Sequence, residues 1–214
     1  MMITSASDQE LEVKFFVSDL AGIEKQLNKL GATLVQPRTH EYNLRFDTPS
    51  GDLSQASRVL RLRRDAASRL TYKGPSQTLQ GVLARQEIEF EVSDFEAARR
   101  LVEALGFRAN FVYEKFRTTY DLRGFKVTLD EMPYGPFLEI EGPNAPDIQD
   151  AAKQLKLDWD AALPETYISL FRRLKELSGL PFSDLTFSNF EGLSVNMERI
   201  GVHPADGVAS KTQE

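Results

Sequence analysis

"ELEVKF", Glu10 to Phe15, carries a charge at every second position: Glu10, Glu12 and Lys14 alternate with Leu11, Val13 and Phe15. Side chains of a strand point alternately to its two faces, so the segment predicts a strand with one apolar and one ionisable face. The apolar face belongs against a core. Whether the ionisable face meets water or a ligand decides between an ordinary amphipathic sheet and something rarer.

Working outward, the chain contains its own copy. "QELEVKFFVSDLAGIEKQLNKLGA" (Gln9 to Ala32) is echoed by "QEIEFEVSDFEAARRLVEALGF" (Gln86 to Phe107), and Asp19 to Gly31 spans the same twelve steps as Asp94 to Gly106. Ser/Asp at the start and Gly at the end bound a helix in each copy, with Leu20, Ile23, Leu27 and Leu30 forming the first apolar stripe. "VLRLR" (Val59 to Arg63) then corresponds to "KVTLD" (Lys126 to Asp130), and "LTYKGP" to "LEIEGP". Each half reads β-α-β-β-β. Without helical crossovers among the last three strands, neighbours pair antiparallel.

The same alternation runs through the other strands. Arg61 and Arg63 oppose Leu60 and Leu62; Lys73 opposes Tyr72; Arg85, Glu87, Glu89 and Glu91 oppose Ile88, Phe90 and Val92. Lys115 and Arg117 flank Phe116, Lys126, Thr128 and Asp130 oppose Phe125, Val127 and Leu129, and Glu139 and Glu141 oppose Leu138 and Ile140. An eight-stranded sheet closes into a barrel whose interior holds side chains or one small ligand. Here closure puts the charged face inside and the apolar face outward, under the helices. Buried ion pairs do little better than break even against apolar packing, so such a lumen points to a ligand. Polyphosphate oxygens want Arg and Lys, and a bridging divalent cation wants carboxylates.

Composition narrows the chemistry. The 214 residues, 41% hydrophobic, suffice for one sizeable core. With no cysteine and only His40 and His203, thiol nucleophiles and Cys-ligated zinc are excluded, and catalysis falls to carboxylates, Lys and Arg. The net charge of −6 argues against a nucleic-acid partner. No apolar run approaches a membrane span and no leader is evident, so a soluble, cytoplasmic monomer or homodimer without a membrane partner is expected. Residues 1–178 read as one tunnel domain, with repeats at 9–75 and 84–143 and a helical end at 145–178. Residues 179–214 read as an extension, fraying from position 201 onward.

The residues quoted carry a resemblance. Glu10-Leu-Glu12-Val-Lys14 is similar to the E-x-E-x-K signature of the CYTH, or triphosphate tunnel metalloenzyme, superfamily. Arg61-Leu-Arg63, "TYKGP" with Lys73, Arg85-Gln-Glu87-Ile-Glu89, Lys115-Phe-Arg117, Asp130 and Glu139-Ile-Glu141 follow in the family's order, and "ETYISLF" is a plausible terminal element. The resemblance implies an α+β fold: an eight-stranded antiparallel β-barrel tunnel with a charged lumen and helices packed outside. It implies Mg²⁺ or Mn²⁺ as cofactor, with Glu10, Glu12, Asp130, Glu139 and Glu141 as metal ligands. Lys14, Arg61, Arg63, Lys73, Arg85, Lys115 and Arg117 would hold the triphosphate, and Lys73, Glu87 and Glu89 would serve the chemistry. One departure is "HEYNLRFDTP", where Asn43 and Arg45 stand in place of the aspartate and aromatic pair common in relatives.

The favoured function is metal-dependent hydrolysis of a small-molecule triphosphate: tripolyphosphate, thiamine triphosphate or a nucleoside triphosphate. Trp159, the sole tryptophan, is the candidate aromatic clamp for thiamine. The alternatives are a class IV adenylyl cyclase forming cyclic AMP from ATP, and a non-catalytic polyphosphate or nucleotide sensor.

Overall fold

Both helices of the repeat begin alike. Asp19 accepts a hydrogen bond from the Gly22 amide and Asp94 from the Ala97 amide, each satisfying a donor that the first turn leaves free. In a computed structural model that describes residues 9–80 and 82–207, these caps launch α1 (Leu20–Lys29) and α3 (Phe95–Ala104). The first half comprises β1 (Gln9–Phe16), α1, β2 (Thr33–Asp47), a single turn α2 (Asp52–Gln55), β3 (Val59–Arg64) and β4 (Ser68–Lys73). A short strand, β5 (Gln77–Leu79), leads into the second half: β6 (Val82–Glu91), α3, β7 (Arg108–Leu122), β8 (Phe125–Met132) and β9 (Gly135–Glu141). Then come α4 (Ala145–Gln154), β10 (Ala162–Leu163) and α5 (Tyr167–Ser178).

The strands run β1-β9-β8-β7-β2-β3-β4-β6 and close by a β6–β1 pairing, antiparallel throughout. This is the predicted eight-stranded barrel, with five helices packed outside it among the described residues. The short strands β5 and β10 lie beside the ring, on β6 and β1, and have no counterpart in the sequence prediction. The "FDTP" turn is structural: Asp47 accepts the Thr48 and Leu53 amides at 2.8 Å each, fixing α2 against the end of β2.

The apolar parity also holds. Val13, Phe15, Val127, Leu138 and Ile140 point outward and bury against Ile23 and Leu27 of α1 and Ile148, Ala151 and Leu155 of α4. On the other flank Leu44, Phe46 and Leu62 bury against Phe95 and Val102 of α3. The barrel walls are therefore stabilised from outside, by helices, and the lumen is left free for polar groups.

The extension is more ordered than its composition predicts. Residues 180–207 pack along α5 and β7: Leu185 bridges Tyr113, and Phe190, Met197 and Ile200 join the cluster around Phe171 and Leu174. Val202 and Ala205 are also buried, which corrects the expected fraying from position 201. Asp206 anchors the segment by accepting the Ser18 and Asp19 amides, each at 2.7 Å. The expected tail beyond 207 lies outside the described residues.

Candidate active site in the barrel lumen

Every strand of the ring contributes charge to one cavity of about 150 Å³. All predicted site residues except Asp130 line it. Four groups can be distinguished.

At the inner end, β2, β7 and β8 converge. Glu41, 1% exposed, sits among Arg63, Lys115 and Arg117. Burial alone would raise its pKa, but these cations hold it at about 2. Asp130 is wholly buried behind the lining side chains, accepting Lys115 Nζ at 3.0 Å, Arg117 Nε at 2.6 Å and the Tyr167 hydroxyl at 2.8 Å. Its oxygens are already taken, so of the five predicted metal ligands it alone is set apart from the cavity. Tyr167 arrives from the first turn of α5, its ring 4.4 Å from Lys14 Nζ and edge-on to Phe137.

On β1 and β9, Lys14 pairs with Glu139 at 2.7 Å, and Arg117 also bonds Glu139. Burial would raise the Glu139 pKa; Lys14, Arg117 and Lys115 hold it far below the carboxylate range. Glu12 and Glu141 are direct cross-strand partners, served by Arg85 at 3.4 Å and by Lys126 respectively.

A third group joins β1, β4 and β6. Lys73 Nζ bridges Glu10 at 2.7 Å and Glu87 at 2.9 Å, and Arg85 reaches Glu10 at 3.3 Å. Burial and a hydrogen bond shared with Glu10 push Glu87 up to about 7, while Glu10 is held low. The fourth group is Glu89, which accepts Thr71 Oγ at 2.7 Å, Arg63 at 3.1 Å and Arg61 at 3.3 Å. Arg61 also donates to the Tyr113 hydroxyl.

Three lumen groups escaped the sequence prediction. Glu41 shares parity with Asn43 and Arg45, and Tyr113 with Lys115, so alternation could have found both. Tyr167 lies on a helix, where strand parity says nothing. Two expectations are corrected. Trp159 packs outside the barrel, edge-on to Phe15 at 6.0 Å between ring centroids, because it follows α4 and joins the outer core. Glu91 has lumen parity but sits at the far end of β6, exposed and paired with Arg69 at the rim.

A closed barrel with helices outside and carboxylates and cations interleaved within defines a tunnel fold with a charged lumen. Residues 8–173 match the CYTH domain, and the chain belongs to that family. A candidate adenylate cyclase of Methanocaldococcus jannaschii is 30% identical over 154 residues, covering 69% of this chain and 83% of the relative. Among solved structures, a candidate adenylate cyclase of Vibrio parahaemolyticus superposes with a TM-score of 0.69 at 18% identity, covering 76% of this chain and 97% of its own. A candidate adenylyl cyclase of Hippeastrum, described as having a dominant triphosphatase activity, gives 0.57 at 20% identity, covering 76% and 95%. Among the described residues no helix is long and apolar enough to cross a membrane.

Proposed function

We propose that the chain is a divalent-metal-dependent triphosphatase acting on a small-molecule triphosphate in the lumen. The observation that carries the reading is the density of paired opposite charge around one cavity in the lumen. Arg61, Arg63, Lys115 and Arg117 present donors that phosphate oxygens satisfy better than their present carboxylates do, because a bound polyphosphate brings several charges at once. Lys14, Lys73 and Arg85 extend that clamp along β1, β4 and β6.

The donor set suits a hard cation. Among the described residues no three carboxylates converge closely enough to hold a metal by themselves. Mg²⁺, however, is commonly bound by one or two carboxylates together with substrate phosphates and water. Glu12 and Glu141, facing each other across β1 and β9, fit that need, flanked by Glu10 and Glu139. When bound, the metal supplies charge stabilisation at phosphate oxygens.

The remaining roles fall to the chain. Glu89, locked by Thr71, Arg61 and Arg63, orients the two guanidiniums. Glu87, balanced near neutrality beside Lys73, is suited to hold or release a proton at an attacking water. Positioning and electrostatics then provide most of the acceleration.

The cyclase reading draws on the names of the relatives. The lumen supports it less: the rings that line it, Tyr113 and Tyr167, have hydroxyls bonded to Arg61 and Asp130, and no aromatic platform for adenine is evident among the lining groups. The test is a panel of tripolyphosphate, thiamine triphosphate and ATP with Mg²⁺ or Mn²⁺, following phosphate, pyrophosphate and cyclic AMP together. Phosphate release that vanishes in Glu12→Gln supports hydrolysis. Cyclic AMP with pyrophosphate from ATP, and no phosphate from any substrate, overturns it.

A further inference from the structure

Nine cations line the lumen, and eight of them form ion pairs with carboxylates. Among the described residues the ninth, Arg45, pairs with none. It stands directly across from Arg61 in the β2–β3 register and across from Phe111 in the β2–β7 register. The groups that act on it most strongly from the elements around it are the cations Arg172 on α5, Arg61 on β3 and Arg85 on β6, with the Tyr113 hydroxyl favouring its charge. Burial and this like-charge crowding both press against the guanidinium, which cannot shed its proton. Like charges directly opposite across strands destabilise a sheet. A lumen that satisfies every other cation internally has left this one for something that arrives from outside.

What arrives must be anionic and must extend past the clamp formed by Arg61, Arg63, Lys115 and Arg117. Arg45 lines the same cavity as Arg61, so an anion held by Arg61 can continue onto it. We infer that Arg45 forms an additional anion subsite next to Arg61, and that the chain takes linear inorganic polyphosphates longer than the triphosphate. The inference rests on the triphosphatase reading and extends the same site by one phosphate.

The test compares binding and hydrolysis of inorganic tripolyphosphate and linear tetraphosphate, with Mg²⁺, by the wild type, Arg45→Gln and Arg45→Lys. The wild type favours tetraphosphate by about tenfold or more, the scale of one charge-assisted hydrogen-bond pair. Arg45→Gln removes that preference while tripolyphosphate affinity stays within about threefold, and Arg45→Lys restores part of it. Without ligand, Arg45→Gln melts no lower than the wild type, since it relieves repulsion; a structural role would lower the melting temperature. Equal loss for both ligands, or a wild type indifferent to chain length, overturns the subsite and leaves the triphosphatase reading standing. Failure of the wild type to bind either polyphosphate overturns both.

Discussion

Glu12 and Glu141 face each other directly across β1 and β9, two carboxylates in a position where sheets ordinarily avoid like charge. Their cationic partners approach from opposite sides, Arg85 for Glu12 and Lys126 for Glu141, and neither bridges the pair. The arrangement costs stability in the free protein and suits a divalent cation. Glu12→Gln should therefore leave the melting temperature of the metal-free protein unchanged or slightly higher, while metal-dependent phosphate release falls by about 100-fold or more. Differential scanning calorimetry and a phosphate assay check the two halves. A variant that both unfolds early and retains activity contradicts the assignment.

Glu41 is the opposite case, an acid buried among three cations that it helps to neutralise. Glu41→Gln should cost about 3 kcal/mol or more, the scale of breaking a buried ion pair by removing one partner. The same residue gives a pH dependence. Its folded pKa, about 2, lies below its ordinary value of 4.5. The unfolded chain thus takes up its proton first on acidification. The stability Glu41 contributes is fully present above the ordinary value and is lost as pH falls through about 2. Urea denaturation at a series of pH values should show the wild-type midpoint falling across that window and a shallower fall in Glu41→Gln.

Tyr167 separates two effects. Tyr167→Phe deletes the hydrogen bond to buried Asp130 but keeps the ring over Lys14, and should cost about 1.5 kcal/mol. Tyr167→Ala removes the ring as well, opening the inner end of the lumen, and should cost about 3 kcal/mol or more. Equal costs in chemical denaturation would mean that the ring contributes nothing.

The segment after α5 should behave as part of the barrel. Truncation after Gly179 strips Leu185, Phe190, Met197, Ile200 and Val202 from the cluster around Phe171. At roughly 1.5–3 kcal/mol for each fully buried large side chain, the loss is comparable to the whole stability of a domain. The truncated chain should be aggregated or unfolded by circular dichroism, whereas a cooperative melt near that of the full chain would contradict the packing.

The barrel was legible because one physical rule, alternation of faces, repeats in strand after strand and is doubled by the internal copy. Glu10, Glu12 and Lys14 can be placed without coordinates. Tyr167 cannot: on its helix it shares a stripe with Leu170 and Leu174, and only long-range packing turns it toward Asp130. Asp130 shows a second limit. Parity puts it on the lumen side, where Lys115, Arg117 and Tyr167 take its oxygens and bury it behind the groups that line the cavity. Trp159 shows a third, since rarity in composition carries no information about position. The extension was underestimated because its apolar residues follow no single period, packing instead through short turns at Ser188–Phe190 and Met197–Ile200.

The central claim, that the lumen hydrolyses triphosphates, is met most directly by following tripolyphosphate with Mg²⁺ by phosphorus NMR in the presence of the wild type and of Glu12→Gln. The account predicts that the internal-phosphate resonance of tripolyphosphate disappears with the wild type, giving pyrophosphate and phosphate, and persists with Glu12→Gln. Intact tripolyphosphate under the wild type, alongside ATP converted to cyclic AMP and pyrophosphate, would contradict it.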